Sequence, residues 1–418
     1  TVSVLYWRKD MLRAGGGFAL RHARSRAPCS AEMAKQSFEF CRRRAKEFAL
    51  SGHSAIAVDY TIRGLGTRPR NRELLELGAS LAGAVEQQAL RDKCVASLER
   101  LGVDGGPSMP PMPKQDFERL TVAREDTDEI NAVLEESGAG ELLECRAISG
   151  YGRGLVALQD IPKRSPLFAE RPLFAVRRSA SYCAQCLKPL SSGAESSPGV
   201  VVPCGGEACA ETYCSVECRL QAGSEGHTQL CQDAAFRELV ANLTLEVARE
   251  TRGNASVALS MLVVIQMIVR GMALGEHPLQ QEGVADLSGA VTYEPASTFD
   301  NTGALTVQIS EAIGAHLFLE DVLTLFALVQ SNEFNSPAGS AVFRALSMAN
   351  HSCVPNAVVD FENTGHAVLS AATDIRAGDQ VLIDYTAGVA PRLPYARRKE
   401  LLSQRHFECY CAKCVRRQ

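Results

Sequence analysis

Two kinds of pattern share this chain and occupy different stretches of it. Over residues 31–102 Leu, Ala, Glu and Arg dominate, as in RELLELGASLAGAVEQQALRDKCVASLERL, and such a run predicts helix. GVDGGPSMPPMP (102–113) interrupts it, because clustered Gly and Pro mark a linker and a domain boundary. Residues 114–145 are acidic and predict further helix. From CRAISGYGRGLVALQDIPKRSPLFAERPLFAV (145–176) the apolar runs shorten and are cut by Gly and Pro, which is strand–turn–strand chemistry. Strand-like runs return at AVVDFE, AVLSAATDI and QVLIDYT. Between the two β regions lie helical patterns over about 232–275 and 308–330, separated by the polar loop DLSGAVTYEPASTFDNTG (286–303). The expectation is that 145–176 and 341–386 form two halves of one β domain with insertions between them. The apolar run SVALSMLVVIQMIV (256–269) is too short for a bilayer and carries polar residues, so it predicts a buried helix and no membrane partner.

Composition narrows the class. A chain of 418 residues has room for two or three domains with sizeable cores. Hydrophobic content of 46% and charged content of 22% are those of a soluble globular protein. A net charge of -4 argues against a protein that wraps nucleic acid as a whole. The tail 392–418 is nevertheless rich in Arg and Lys. It reads first as a solvated face and second as a patch that steers acidic partners, which leaves direct nucleic-acid binding open. Residues 11–31 are Arg-rich and lack acids, the composition of a transit peptide, although a solvated basic segment is the preferred reading. The expected location is therefore the cytoplasm, the nucleus or both.

The cysteines change the picture most. Of 15, seven lie from Cys183 to Cys231 and four from Cys353 to Cys414. Clustering of this kind in a long chain favours metal in a reducing compartment over a disulfide scaffold. The first cluster reads Cys183-x2-Cys186, Cys204-x4-Cys209, Cys214-x3-Cys218 and His227-x3-Cys231. Zinc takes four N or S ligands in a tetrahedron, and these eight donors suffice for two closed sites. The second cluster is Cys409-x1-Cys411-x2-Cys414, one ligand short of a tetrahedron, and Cys353 in ANHSCVPN (349–356) is the natural fourth. His351 is also a candidate base for a nucleophilic Cys353, but that alternative leaves three cysteines unexplained.

The order of the first block, with ETYCSVEC (211–218), resembles a MYND zinc finger. That resemblance implies interleaved sites, Cys183, Cys186, Cys214 and Cys218 sharing one ion and Cys204, Cys209, His227 and Cys231 the other. It also implies a surface for partner peptides. The set GYGRGLVA (150–157), ANHSCVPN, IDYT (383–386) and FECYCAKC (407–414) resembles a SET domain with its post-SET zinc. Together they resemble the SET and MYND domain-containing (SMYD) protein-lysine methyltransferases over about residues 145–418, closest to the divergent fifth branch of that family.

The resemblance implies an α+β fold, namely a SET-domain β fold with a pseudoknot-like crossing and a post-SET zinc site. The expected division is a helical extension of unknown role with its linker (1–113), an acidic linker helix (114–144), the SET domain (145–386), the inserted MYND finger (183–231), a helical insert (232–330) and the post-SET segment (387–418). It implies transfer of a methyl group from S-adenosylmethionine to a lysine on a histone or another protein, with three zinc ions per chain. Tyr385 would be the catalytic residue. Tyr151, Gly152, Arg153, Asn332, Asn350, His351, Tyr385 and Phe407 would hold the cofactor. A catalytically inactive SET–MYND adaptor is the alternative in a different class.

Overall fold

The computed structural model describes residues 31–103, 107–190, 201–207, 209–249, 257–313, 317–361, 365–386, 388–403 and 407–417. The basic segment at 11–30 lies outside the described residues. The chain falls into two compact units, one of residues up to Leu120 with Thr292–Thr324, the other of Thr121–Val291 with the chain from Leu325 onward.

The first unit begins with the expected helices α1 (Ala31–Leu50), α2 (Ser54–Thr67), α3 (Arg72–Leu81) and α4 (Gln88–Arg100). Helix α3 starts where Asn71 accepts the Leu74 N–H on its side chain at 3.0 Å, an N-cap that satisfies a terminal donor. Its Leu74, Leu75, Leu77 and Leu81 are buried. The acidic stretch that follows is not the single expected helix. It opens as strand β1 (Glu118–Val122) and becomes helical only in α5 (Asp128–Glu136). The reason is Glu118, which is buried and accepts the Ser54 N–H at 2.9 Å, so this acid is an internal anchor rather than a solvated helix face.

In the second unit β2 (Leu143–Ile148) and β3 (Gly152–Ala157) form an antiparallel hairpin in the register Leu143↔Ala157 to Ile148↔Gly152. Strands β4 (Pro166–Glu170) and β5 (Phe174–Arg177) lead into the segment expected to be a finger, whose short β6 (Val202–Pro203) and β7 (Thr212–Tyr213) pair antiparallel. Helices α6 (Val216–Ala222) and α7 (Thr228–Gln232) complete the finger. Helices α8 (Ala234–Arg249) and α9 (Val257–Leu274) follow. Leu259, Val263, Val264, Met267 and Ile268 on α9 are buried, so the apolar run is a core helix as expected.

After β8 (Gly289–Tyr293) come α10 (Gly303–Ile313) and α11 (Leu319–Asn332). The insert expected over 232–330 is thus divided, because 292–324 belongs to the first unit. There the Tyr60 hydroxyl donates to Glu320 at 2.6 Å, Gln87 donates to Asp300 at 2.8 Å, and Tyr60 stacks on Phe318 at 4.9 Å.

The remaining strands join the two β regions. β9 (Glu333–Ser336) and β10 (Gly339–Val342) build the sheet β5-β10-β9, while β12 (Ala357–Phe361) and β13 (Ala367–Ala371) build β12-β13-β4. Each sheet therefore takes one strand from 166–177 and two from beyond residue 332. Between them β11 (Asn350–His351) pairs parallel with β14 (Leu382–Ile383). The chain ends in α12 (Tyr395–Ser403) and α13 (Ala412–Val415).

Candidate functional site

Among the described residues, three sets of four donors converge in the second unit: Cys183, Cys186, Cys214 and Cys218; Cys204, Cys209, His227 and Cys231; and Cys353, Cys409, Cys411 and Cys414. Within each set the donor atoms all lie within 4.8 Å of one another. These are the interleaved groupings that the finger pattern implied, together with Cys353 joining the C-terminal three. A tetrahedral zinc with Zn–S of about 2.3 Å sets sulfur atoms about 3.8 Å apart, well beyond a disulfide bond of about 2.05 Å. Cys186 to Cys214 and Cys214 to Cys218 measure 3.6 Å, as do Cys204 to Cys231 and Cys353 to Cys414. The donor sets fit zinc in number, type and spacing. Outside them, burial pushes the thiols of Cys41, Cys94 and Cys145 up to about 11, which leaves them inert at neutral pH.

Beside the third set stands the segment Ala349–His351. The Asn350 side-chain amide donates to the Arg153 carbonyl at 2.9 Å and to Gln380 Oε1 at 3.1 Å. Gly154 makes this approach feasible, since a Cβ there would lie 2.6 Å from Asn350 Nδ2. His351 is buried, and its Nδ1 accepts the Tyr385 backbone N–H at 3.1 Å. A ring nitrogen that accepts carries no proton, so the neutral imidazole holds its hydrogen on Nε2, 3.4 Å from Cys353 Sγ. The Tyr385 hydroxyl donates to the Ala349 carbonyl at 2.9 Å. The rings of His351, Tyr385 and Phe407 meet one another at 5.3 to 5.7 Å between centroids. Asn350, His351, Tyr385 and Phe407, spread over more than 50 residues of chain, therefore share one locus with the third donor set.

The other expected cofactor residues are placed differently. Arg153 contributes its carbonyl to Asn350, but its buried guanidinium donates to the Asp126 carbonyl at 2.7 Å and to the Asp286 carbonyl. The side chain thus clamps two loops instead of lining a pocket. Asn332 is buried, and its amide donates to the carbonyls of Ser288 and Leu328 at 2.6 and 2.8 Å, so those donors are already engaged. Gly152 has φ +77°, and nothing lies within 4 Å of where a Cβ would stand, so it forms an open left-handed turn. Tyr151 is 40% exposed, and partial burial, then the negative charge of the nearby Cys409 and Cys411 thiolates, push its phenol above the usual range.

Several positioning residues escaped sequence reasoning. Glu170 accepts the N–H groups of Arg344, Ala345 and Leu346 at 2.8 to 3.1 Å and so fixes the turn that delivers Asn350. Asn356 ties Leu382 and Gln380 to the segment's far end at 2.7 and 2.8 Å. Arg398 is fully buried and directs Nη2 at Cys414 Sγ, 3.6 Å away. Nothing local marks these residues, although Asn356 does stand in the ANHSCVPN motif. Arg398 also removes one cation from the tail expected to be a solvated face, and Lys399 pairs with Glu408 at 3.2 Å.

A family model, the SET domain, matches residues 152–386. Histone-lysine N-methyltransferase SET5 of Candida albicans is 27% identical over 338 residues, covering 71% of this chain and 68% of that protein. Protein-lysine N-trimethyltransferase SMYD5 of Homo sapiens is 27% identical over 355 residues, covering 64% of this chain and 84% of that protein. Among solved structures, the SET domain of LSMT bound to lysine and AdoHcy is similar at 13% identity with a TM-score of 0.29, covering 62% of this chain and 53% of that one. The chain thus spans about half the length of that solved structure.

Proposed function

This chain belongs to the SET-domain family, and on that premise we propose that it is a protein-lysine N-methyltransferase using S-adenosylmethionine. The observation that carries the reading is the meeting of Tyr385, His351 and Phe407 on the segment that holds Asn350. S-adenosylmethionine, when bound, supplies a methyl group already activated by its sulfonium. The chain's task is then to present a neutral amine, because lysine in water has a pKa of about 10.4 and its ammonium form has no lone pair. The Tyr385 hydroxyl gives its hydrogen to Ala349, which leaves its oxygen lone pairs to accept from the lysine amine and orient it. His351 holds the Tyr385 backbone, and the ring of Phe407 shields that locus from water. Asn350 fixes the Gly152–Gly154 strand start through the Arg153 carbonyl, and the open turn at Gly152 leaves room for the cofactor. Tyr151 and the backbone of Arg153 border the same opening, and Asn332 supports it through the Ser288 carbonyl.

Three zinc ions would close the donor sets. Those of Cys183 and Cys204 make the finger, a surface for partner peptides, and that of Cys353 pins the chain end to the site. The substrate is a protein lysine, on a histone or another protein, in the nucleus or cytoplasm.

The test uses the zinc-loaded full chain, calorimetric titration with S-adenosylhomocysteine, and transfer of labelled methyl to protein extract. Tyr385→Phe should lower transfer by about 100-fold or more, while the cofactor affinity stays within about threefold. Undiminished transfer would remove Tyr385 from the reaction. Absence of cofactor binding by the parent protein would favour the inactive adaptor.

A further inference from the structure

A cleft of about 630 Å³ opens between the finger, the strand β5 and helices α8 and α9. None of Asn350, His351, Tyr385 and Phe407 lines it, so it is separate from the methyl-transfer site. Its walls are largely apolar where Val240 of α8 and Leu262, Ile265 and Val269 of α9 face it. Its volume and character are those of a small-molecule pocket, typically about 300–1,000 Å³ with a few polar groups among apolar walls.

Among the described residues, three that line it carry buried side-chain atoms without a hydrogen-bond partner, Tyr213, Arg270 and Glu211, and of these Glu211 Oε2 already lies 2.8 Å from an Arg177 nitrogen. Tyr213 is only 1% exposed, and its hydroxyl has no hydrogen-bond partner among the described residues. Arg270 buries Nε and Nη1, again without an acceptor among the described residues, and its guanidinium rides 5.2 Å over the Phe174 ring. Several neighbouring charges are already engaged. Arg177 donates to the Tyr182 carbonyl and to Thr212 and lies 2.8 Å from Glu211, Arg237 donates to the Cys231 carbonyl, and Glu225 accepts from Gln185. Four arginines line the cleft (Arg177, Arg178, Arg237 and Arg270) against two glutamates (Glu211 and Glu225), so it is net positive. Buried guanidinium nitrogens without an acceptor are costly, and an anion carried on an apolar body would satisfy both those donors and the walls.

We propose that this cleft binds an apolar carboxylate, its body along α8 and α9 and its carboxylate accepting from Arg270 and Tyr213. A free aliphatic acid and a peptide with an apolar, free C-terminus offer the same chemistry. The zinc-loaded full chain is titrated calorimetrically with dodecanoate below its micelle range, with dodecanol, and with a short peptide ending in Leu-Val-Leu as free acid or amide. Saturable one-site binding of dodecanoate or of the free-acid peptide is expected, and whichever binds identifies the source. Dodecanol and the amide should bind at least tenfold more weakly.

Arg270→Met keeps the bulk of the side chain and should weaken binding tenfold or more, and Tyr213→Phe severalfold. Zinc content and S-adenosylhomocysteine affinity are measured on each variant, so that a collapsed finger is not mistaken for a lost ligand. With zinc retained, binding that is unchanged in Arg270→Met overturns the proposal, as does failure of both carboxylates to bind the parent protein. Neither result touches the methyltransferase reading, whose residues lie elsewhere.

Discussion

The finger and the C-terminal donor set use the same chemistry over different sequence distances. Both finger sets draw their donors from the stretch Cys183–Cys231, and the small core there is made of Cys183, Cys186 and Cys218 with Val202, Tyr213 and Ala222. The third set joins Cys353 to Cys409 across 56 positions, and its cluster contains Ala390 and Leu402 with Tyr395 and Phe407 packed against it. Closing a longer loop costs more chain entropy, so a metal there contributes where local packing does not. Ions in the finger would hold a module, whereas the third ion would hold the locus of His351 and Tyr385, because His351 touches Cys353 and Phe407 touches both His351 and Tyr385. Similar ligand sets acquire different roles from what lies beside them.

The largest expected effects come from separating the two by substitution. Native mass spectrometry should count three zinc ions in the parent chain. Cys411→Ser should drop one and weaken S-adenosylhomocysteine binding by about 10–100-fold, the scale on which disturbance around a metal is felt. Cys186→Ser should also drop one, yet leave that affinity within about twofold and instead expose the finger to protease. Equal loss of affinity in both variants would mean that the finger and the terminal set form one unit, and the contrast between them would fall.

A smaller effect sharpens the contrast from outside the ligands. Arg398 faces the thiolate set with Nη2 and donates Nη1 to the Leu393 carbonyl at 2.7 Å. Arg398→Met should lower affinity for the third ion by about tenfold, as loss of an outer-shell partner does, without moving the finger's two. Competition with a metallochromic chelator would read three steps, of which only one shifts. A uniform shift of all three would make Arg398 a general stability residue.

How legible all this was in the sequence follows from the same distances. The finger's spacings are local, so its eight donors could be written down from the chain, while their division into two interleaved sets was what the resemblance to a MYND finger implied. The terminal set was legible for a different reason: three close cysteines demand a fourth, and only one nearby motif offered it. The expected sheet came through because β-type runs at 166–177 and beyond 332 needed partners and found each other. Glu170, Gln380 and Arg398 were invisible because their partners lie far along the chain and their types are ordinary. Arg153 and Asn332 show the reverse failure. Each sits in a motif that fits, but their side-chain donors are turned to the backbone carbonyls of the loop at 286–288. The acidic stretch 114–145 misled because composition does not reveal that one acid, Glu118, is buried against Ser54.

The smallest expected effect separates two glycines on the cofactor side of this comparison. At Gly154 an added Cβ meets Asn350 Nδ2 at 2.6 Å and Gln380 Oε1 at 3.1 Å, so Ala there pushes on the amide that joins the two strands. At Gly152 nothing lies within 4 Å, and the penalty is only that of a left-handed φ of +77°. Gly154→Ala should therefore cost about 1–3 kcal/mol of stability, as forced overpacking does. Gly152→Ala should cost about 1–2 kcal/mol, the strain of that backbone region in an L-residue. Denaturant melts would rank the two, and calorimetry with S-adenosylhomocysteine would then divide stability from site. Gly154→Ala should lose affinity through Asn350. Gly152→Ala, if the open turn is where the cofactor lies, should lose affinity out of proportion to its small stability change. Should Gly152→Ala bind normally, the turn is only a hairpin end, and the cofactor's place must be sought on the Tyr385 side of Asn350.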